Sequence, residues 1–104
     1  MFGLREEIIN EIKSISKKYN YNFYVFGSRA RGDYKNNSDI DIAILGNVTE
    51  MDEAKIRNDF DKIDMEYILD IVFINQLTNK ELIENIEKEG VLIKWKDIQR
   101  EKLI

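Results

Sequence analysis

The chain has 104 residues, of which 43% are hydrophobic and 35% are charged, so we expect a single domain over residues 1–104. It contains no cysteine and no histidine, which excludes thiolate nucleophiles and imidazole bases from any chemistry it performs. The net charge of −4 argues against nucleic acid as a direct ligand, because broad nucleic-acid binding requires a basic surface. No apolar run approaches the ~20 residues of a membrane span. We therefore expect a cytoplasmic protein without membrane contact.

The pattern of apolar residues predicts helices that alternate with strands. Spacings of three or four predict a first helix over residues 4–19, and a short aromatic and β-branched run predicts a strand over 23–26. A turn-rich segment over 28–38, opening with a single helical turn, leads to a second strand over 39–45. The remaining predicted elements are a helix over 51–64, a strand over 68–74, a helix from 77 that Gly90 closes as its C′ residue, a short strand over 91–95 and a helix over the last nine residues.

This order predicts an α/β (α+β) fold, with a small mixed β-sheet of three to four strands flanked by helices. The connection between the first two strands is short, which favours antiparallel pairing. A helix separates the second strand from the third, which leaves room for a crossover to a parallel neighbour. The sheet would therefore contain both kinds of pairing.

Three aspartates lie within the predicted second and third strands. Asp39 and Asp41 are two residues apart, so both side chains leave the same face of their strand, and Asp70 lies within the apolar third strand. Carboxylates gathered in such surroundings are costly unless a cation compensates them. Mg²⁺ takes oxygen ligands and shares them with substrate phosphates, and two such ions promote displacement at phosphorus. The alternative is a turn-end aspartate, a solvated strand residue and an aspartate paired with arginine.

A glycine-serine pair follows the first strand directly. Gly27 allows the backbone to approach a phosphate closely, and Ser28 would offer its hydroxyl to an anion. Arg29 and Arg31 would add positive charge for a triphosphate. The alternative is an ordinary turn that Ser28 caps, with two solvated arginines. Next to the carboxylates, the segment predicts the triphosphate-binding part of a nucleotide site.

The stretch GSRARGDYKNNSDIDIAIL over residues 27–45, followed by Asp70, resembles the DNA polymerase β-like nucleotidyltransferase superfamily. It is most similar to the minimal nucleotidyltransferases, or MNT proteins. The chain departs from many relatives at Tyr34, where they have a small residue. At this position we weigh a residue that stacks on a base against a tyrosine at the solvent edge.

The resemblance implies a nucleotidyltransferase fold and a set of residue roles. Gly27 and Ser28 would hold the triphosphate of ATP. Asp39 and Asp41 would bind two Mg²⁺ ions with the nucleotide, and Asp70 would complete the metal site and help to deprotonate the acceptor hydroxyl. The reaction would transfer a nucleoside monophosphate and release pyrophosphate.

MNT proteins are typically paired with HEPN-domain toxins, and active members transfer AMP to a tyrosine of the toxin and silence its ribonuclease activity. The resemblance therefore implies an antitoxin that adenylylates a HEPN partner. One alternative is an antitoxin that neutralises its partner by binding alone. Another is a nucleotidyltransferase acting on a small molecule or an RNA end.

Overall fold

The computed structural model describes residues 1–93, so the predicted strand residues 94 and 95 and the predicted last helix lie outside the described range. Helices and strands alternate as the apolar pattern predicts. In chain order the elements are α1 (Glu6–Tyr19), β1 (Asn22–Phe26), α2 (Ser28–Arg31), β2 (Ile40–Leu45), α3 (Glu50–Asp61), β3 (Leu69–Phe73), a 3₁₀ turn (Ile74–Gln76), α4 (Lys80–Glu89) and β4 (Val91–Ile93).

Local side-chain chemistry explains where the longer helices begin and end. The Thr49 hydroxyl accepts a hydrogen bond from the Asp52 N–H at 3.0 Å, which caps the start of α3. α1 ends at Asn20, whose left-handed backbone (φ 60°) is a common helix stop. α4 ends at Gly90 as predicted, but Gly90 is its C-cap residue and has an extended backbone (φ −63°), whereas the prediction was a left-handed C′ residue.

None of the helices within residues 1–93 is long and apolar enough to cross a membrane.

The four strands form one mixed sheet in the order β3-β2-β1-β4. β1 pairs antiparallel with both β2 and β4, and β2 pairs parallel with β3. The predicted antiparallel first pair and parallel crossover are both confirmed. The helix α3 forms the connection that a parallel pair requires.

The sheet separates two apolar layers. On one face, alternate β2 residues pack against α1 and α3, and the side chains of Ile40, Ile42 and Ile44 are fully buried there. On the opposite face, Ala43 packs with Phe26 and with Ile86 of α4. Because Asp41 alternates with the isoleucines, it lies on the α4 face. The sequence predicted this division of β2 into an apolar face and a carboxylate face.

Candidate active site

Two of the three predicted carboxylates lie side by side on neighbouring strands. Asp41 pairs with Asp70 in the parallel register of β2 and β3, and with Phe26 in the antiparallel register of β1 and β2. Residues opposite each other in a sheet project from the same face. Both carboxylates therefore leave the α4 face of the sheet, at the end where β1 finishes.

Gly27 brings the chain that leaves β1 directly against Asp41. Its backbone has φ 73° and ψ −155°, a conformation that is essentially restricted to glycine. A Cβ atom at this position would collide with the Asp41 carboxylate, with Oδ2 as its nearest neighbour. The glycine is thus required both by its conformation and by the space that Asp41 occupies. Ser28 follows as the first residue of α2 and is half-buried.

The surroundings of Asp41 oppose the ionisation of its carboxylate. Burial raises its pKa above the ordinary aspartate range, and the negative charges of Asp70 and Asp39 raise it further, while Arg31 opposes the shift. Asp39 itself is exposed and lies immediately before β2, which begins at Ile40 and so is one residue shorter than the predicted strand that included Asp39. Asp70 and Asp39 are therefore each close enough to Asp41 to oppose its ionisation.

Arg31 extends from the end of α2 towards this group of charges. Its guanidinium lies 2.9 Å from a Glu89 carboxylate oxygen and 3.3 Å from an Asp33 carboxylate oxygen, and its side chain is 45% exposed. The ion pair with Glu89 connects α2 to the end of α4. The role of Arg31 towards a nucleotide stays a prediction; its guanidinium is partly exposed and close enough to Asp41 to oppose the rise of its pKa.

The environment of Arg29 differs from the one expected for a residue that binds nucleotide. Its side chain is buried, with 2% exposed, and its guanidinium donates hydrogen bonds to main-chain carbonyls. It also lies against the rings of Tyr34 and Tyr67, at 5.1 and 4.7 Å from their centroids. A guanidinium used in this way is not available to a phosphate, so we leave Arg29 out of the nucleotide contacts.

Tyr34 is half-buried, and its ring packs against a buried arginine, a role that the sequence did not predict. Its ring covers the Arg29 guanidinium, and a Cβ at Gly3 would collide with it. Sequence reasoning missed this packing role and the partner role of Glu89. The partners of Arg29 are main-chain carbonyls, which every residue type carries, so no sequence pattern identifies them. The one indication in the sequence is that Tyr67, which contacts Arg29, directly precedes the third predicted strand.

The donor chemistry of the site fits a divalent cation shared with a nucleotide. Within residues 1–93, no three acidic side chains come close enough to form a metal site by themselves. Mg²⁺ commonly takes one or two protein carboxylates and completes its shell with waters and substrate phosphates. Asp41 and Asp70 provide adjacent carboxylates with Asp39 beside them, and the raised pKa of Asp41 indicates charge that a cation would offset.

Residues 10–99 match the protein family described as polymerase beta, nucleotidyltransferase. No curated protein matches the chain at a significant level. The family match extends from α1 to beyond β4 and includes the glycine-serine pair and the three aspartates. It confirms the resemblance to the polymerase β-like nucleotidyltransferases and the fold predicted from it.

Several solved structures share this fold. One, a toxin–antitoxin with AMP-PNP, is 22% identical to this chain and has a TM-score of 0.65. The match covers 91% of this chain and 78% of the chain in that structure. A tri-AMPylated Shewanella oneidensis HEPN toxin in complex with an MNT antitoxin matches at 18% identity and a TM-score of 0.61, covering 96% and 79%. The toxin–antitoxin MntA–HepT matches at 19% identity and a TM-score of 0.60, covering 95% and 79%. With its mixed sheet, its aligned carboxylates and a family match over most of its length, this chain belongs to the polymerase β nucleotidyltransferase family.

Proposed function

We propose that this protein is a Mg²⁺-dependent nucleotidyltransferase that moves AMP from ATP to a hydroxyl of a partner protein, and that the partner is a HEPN toxin. One observation carries the proposal: Asp41 is aligned with Asp70 across two strands and lies directly against the Gly27 backbone. This contact joins the carboxylates to the segment proposed to hold the triphosphate. A substrate phosphate and its cation would therefore meet at one point.

The residues support a transfer without an imidazole base. Gly27 and Ser28 would hold the triphosphate, and Asp39 and Asp41 would bind the cations together with it. When bound, Mg²⁺ would neutralise phosphate charge and make the α-phosphorus easier to attack. Asp70 would take the proton of the acceptor hydroxyl as its oxygen forms a bond to the α-phosphorus. The bond between the α-phosphorus and the bridging oxygen breaks, and pyrophosphate leaves.

The partner assignment rests on the solved neighbours. They include an antitoxin in complex with an AMPylated HEPN toxin and a toxin–antitoxin with an ATP analogue. We extend this pairing to the present chain and infer that a tyrosine of the partner accepts AMP and that the modification neutralises the toxin. The two alternatives, neutralisation by binding alone and transfer to a small molecule or an RNA end, become outcomes of the test.

The test is intact mass spectrometry of the protein encoded beside this chain, after co-expression with it. The native chain, Asp41→Asn and the control Asp61→Asn are compared with ATP and Mg²⁺ supplied. Asp61 is an exposed residue at the end of α3, the helix that packs on the face of the sheet opposite to Asp41 and Asp70. We expect the partner to gain one or more AMP units with the native chain and with Asp61→Asn, and none with Asp41→Asn.

Other results would lead elsewhere. A stable complex whose partner never gains mass, but whose toxicity is suppressed equally by the native chain and Asp41→Asn, would replace transfer with neutralisation by binding. Transfer of labelled AMP to RNA or a small molecule, with the partner unmodified, would keep the enzyme class and overturn the acceptor. Unchanged modification by Asp41→Asn would overturn the assigned carboxylate chemistry.

A further inference from the structure

Arg29 is a charged residue in a buried position. Its side chain is 2% exposed, while Arg31, two residues later on the same helix, is 45% exposed. Arginine is rarely buried so completely unless its guanidinium is paired. Here the partners are backbone oxygens and aromatic rings, and within residues 1–93 no carboxylate pairs with this guanidinium. Such an arrangement serves to hold main chain in place.

The guanidinium of Arg29 donates hydrogen bonds to the segment that leads into β2. Nε and Nη2 donate to the Ser38 carbonyl at 3.1 and 2.8 Å, and Nη1 donates to the Phe2 carbonyl at 3.0 Å. A longer contact of 3.4 Å reaches the Asn36 carbonyl. Two hydrogen bonds from one rigid fork to a single carbonyl fix its direction as well as its position. The Ser38 carbonyl is bonded covalently to the nitrogen of Asp39.

Asp39 therefore lies between two fixed points of the backbone. On one side Arg29 holds the Ser38 carbonyl. On the other side the Ile40 N–H donates to the Ile68 carbonyl at 2.9 Å, which joins the start of β2 to the segment before β3. The Asp39 carboxylate is exposed and forms no side-chain hydrogen bond within residues 1–93, so it is positioned through its two neighbours.

Two tyrosines complete the arrangement. Tyr34 and Tyr67 lie within 5.1 and 4.7 Å of the Arg29 guanidinium carbon, and such contacts favour a cation over a ring face. Tyr67 precedes Ile68, which anchors Ile40. The same cation thus contacts the Ser38 carbonyl directly and, through Tyr67, the strand segment on the other side of Asp39.

We infer that Arg29 is a positioning residue that sets the placement of Asp39 for a cation, and not a nucleotide contact. The inference deepens the proposed function, on which its cation-binding part rests. Its structural part, that Arg29 restrains Ser38 and Asp39 in the protein without ligands, stands independently. The two parts are measured separately.

The first measurement is amide hydrogen exchange by NMR on the ligand-free protein. Arg29→Lys keeps the charge but loses the fork. Phe60→Leu is the control, because it alters a buried core residue that stacks on Phe23 on the α1–α3 face of the sheet. We expect at least a tenfold faster exchange of the Ile40 amide in Arg29→Lys, with α1 amides unchanged. In Phe60→Leu the Ile40 amide should follow global stability only.

The second measurement is the Mg²⁺ concentration that half-saturates binding of a non-hydrolysable ATP analogue. Loss of a residue that orients a ligand typically costs 10–100-fold in metal affinity, so we expect about a tenfold higher Mg²⁺ requirement in Arg29→Lys. The requirement in Phe60→Leu should equal that of the native chain. If Arg29→Lys does not fold, Tyr67→Leu takes its place, since it removes one face of the packing and keeps the arginine.

The outcomes separate the inference from the proposed function. Native exchange of the Ile40 amide together with a native Mg²⁺ requirement in a folded Arg29 or Tyr67 variant would overturn the positioning role. Equal increases in Mg²⁺ requirement for Phe60→Leu would also overturn it, because the effect would then follow stability. If the native chain binds no nucleotide, the proposed function fails, and the exchange measurement alone decides whether Arg29 restrains Asp39.

Discussion

Asp41 and Asp70 are partners in the parallel register of β2 and β3, so their carboxylates leave neighbouring strands on the same face. Adjacent strands lie about 4.8 Å apart, and like charges at such a separation oppose each other's ionisation. Asp41 is half-buried, so ionising its carboxylate carries a free-energy cost from burial as well as from the charge of Asp70. Its pKa is raised accordingly. The pair is unfavourable in the protein alone and favourable once a cation is bound.

Asp41→Asn should therefore stabilise the protein while it destroys transfer. An aspartate whose folded-state pKa is raised stabilises the fold only when protonated, below its unfolded pKa, and that contribution is lost as pH rises through the folded-state pKa. At pH 7 the ionised carboxylate is a net cost, so its removal should increase the Tm of the ligand-free chain. Losing one charge-stabilising group costs on the order of 10²–10³-fold in rate. Thermal unfolding and AMP-transfer rates measure the two effects.

Asp61→Asn provides the comparison for that experiment. Its exposed carboxylate lies at the end of α3, so both the Tm and the transfer rate should stay close to native. If Asp41→Asn lowers the Tm at pH 7, the carboxylate does not carry the electrostatic cost described here.

Binding of Mg²⁺ and an ATP analogue should fail in acid earlier than ordinary aspartates would imply. The cation competes with the proton on Asp41, and the raised pKa of this group means that the proton wins at a higher pH. We expect affinity to fall as pH decreases through the folded-state pKa of Asp41, above the usual aspartate range near 3.9. Calorimetric titration from pH 8 down to about pH 4, the ordinary aspartate range, measures the effect. If the affinity does not change until the pH reaches the ordinary aspartate range, the prediction is contradicted.

Gly27→Ala should be more damaging than the same change at a second strained glycine. Both Gly27 and Gly32 have positive φ (73° and 94°), but a Cβ at Gly27 meets the Asp41 carboxylate whereas a Cβ at Gly32 meets nothing within 4 Å. Backbone strain alone costs about 1–3 kcal/mol at either site. Gly27→Ala should add a displacement of Asp41 and abolish nucleotide binding.

Gly32→Ala serves as the matched control, since it carries the strain without the collision. We expect it to lower the Tm and to bind the ATP analogue with native affinity once measured well below its Tm. Equal loss of binding in both variants would show that the conformation of the turn, and not the space beside Asp41, is what matters.

The elements and the carboxylates were predictable because their signals are local. Alternation along β2 separates Asp41 from Ile40 and Ile42, and an aspartate within an apolar strand such as Asp70 stands out in the sequence alone. The antiparallel and parallel pairings followed from the lengths of the connections. These features depend on periodicity and spacing, which a single sequence contains.

The role of Arg29 could not be predicted in the same way. An arginine beside a glycine-serine pair is typical of an exposed anion-binding residue, yet here it is buried against carbonyls that any residue type could provide. Its aromatic contacts come from Tyr34 and Tyr67, which are distant from each other in the sequence. Only the tertiary structure brings such partners together, and the same holds for Glu89 beside Arg31.

Arg31 should be the arginine of this helix that influences the nucleotide. It is partly exposed and close enough to Asp41 to lower its pKa. Arg31→Met should weaken binding of the ATP analogue about tenfold, the effect of roughly 1.4 kcal/mol, and should move the pH dependence of binding upwards because Asp41 loses an opposing charge. Titration calorimetry at several pH values would measure both changes.

Arg57→Met is the matched control for this substitution. Arg57 has a similar exposure of 48% and a similar ion pair, at 3.3 Å to Glu53 on α3. Exposed ion pairs contribute about 0–1 kcal/mol, so both variants should unfold close to the native Tm. Only Arg31→Met should change nucleotide affinity. If both substitutions reduce the nucleotide affinity equally, the effect comes from net charge. The location of Arg31 beside the carboxylates would then not matter for triphosphate binding.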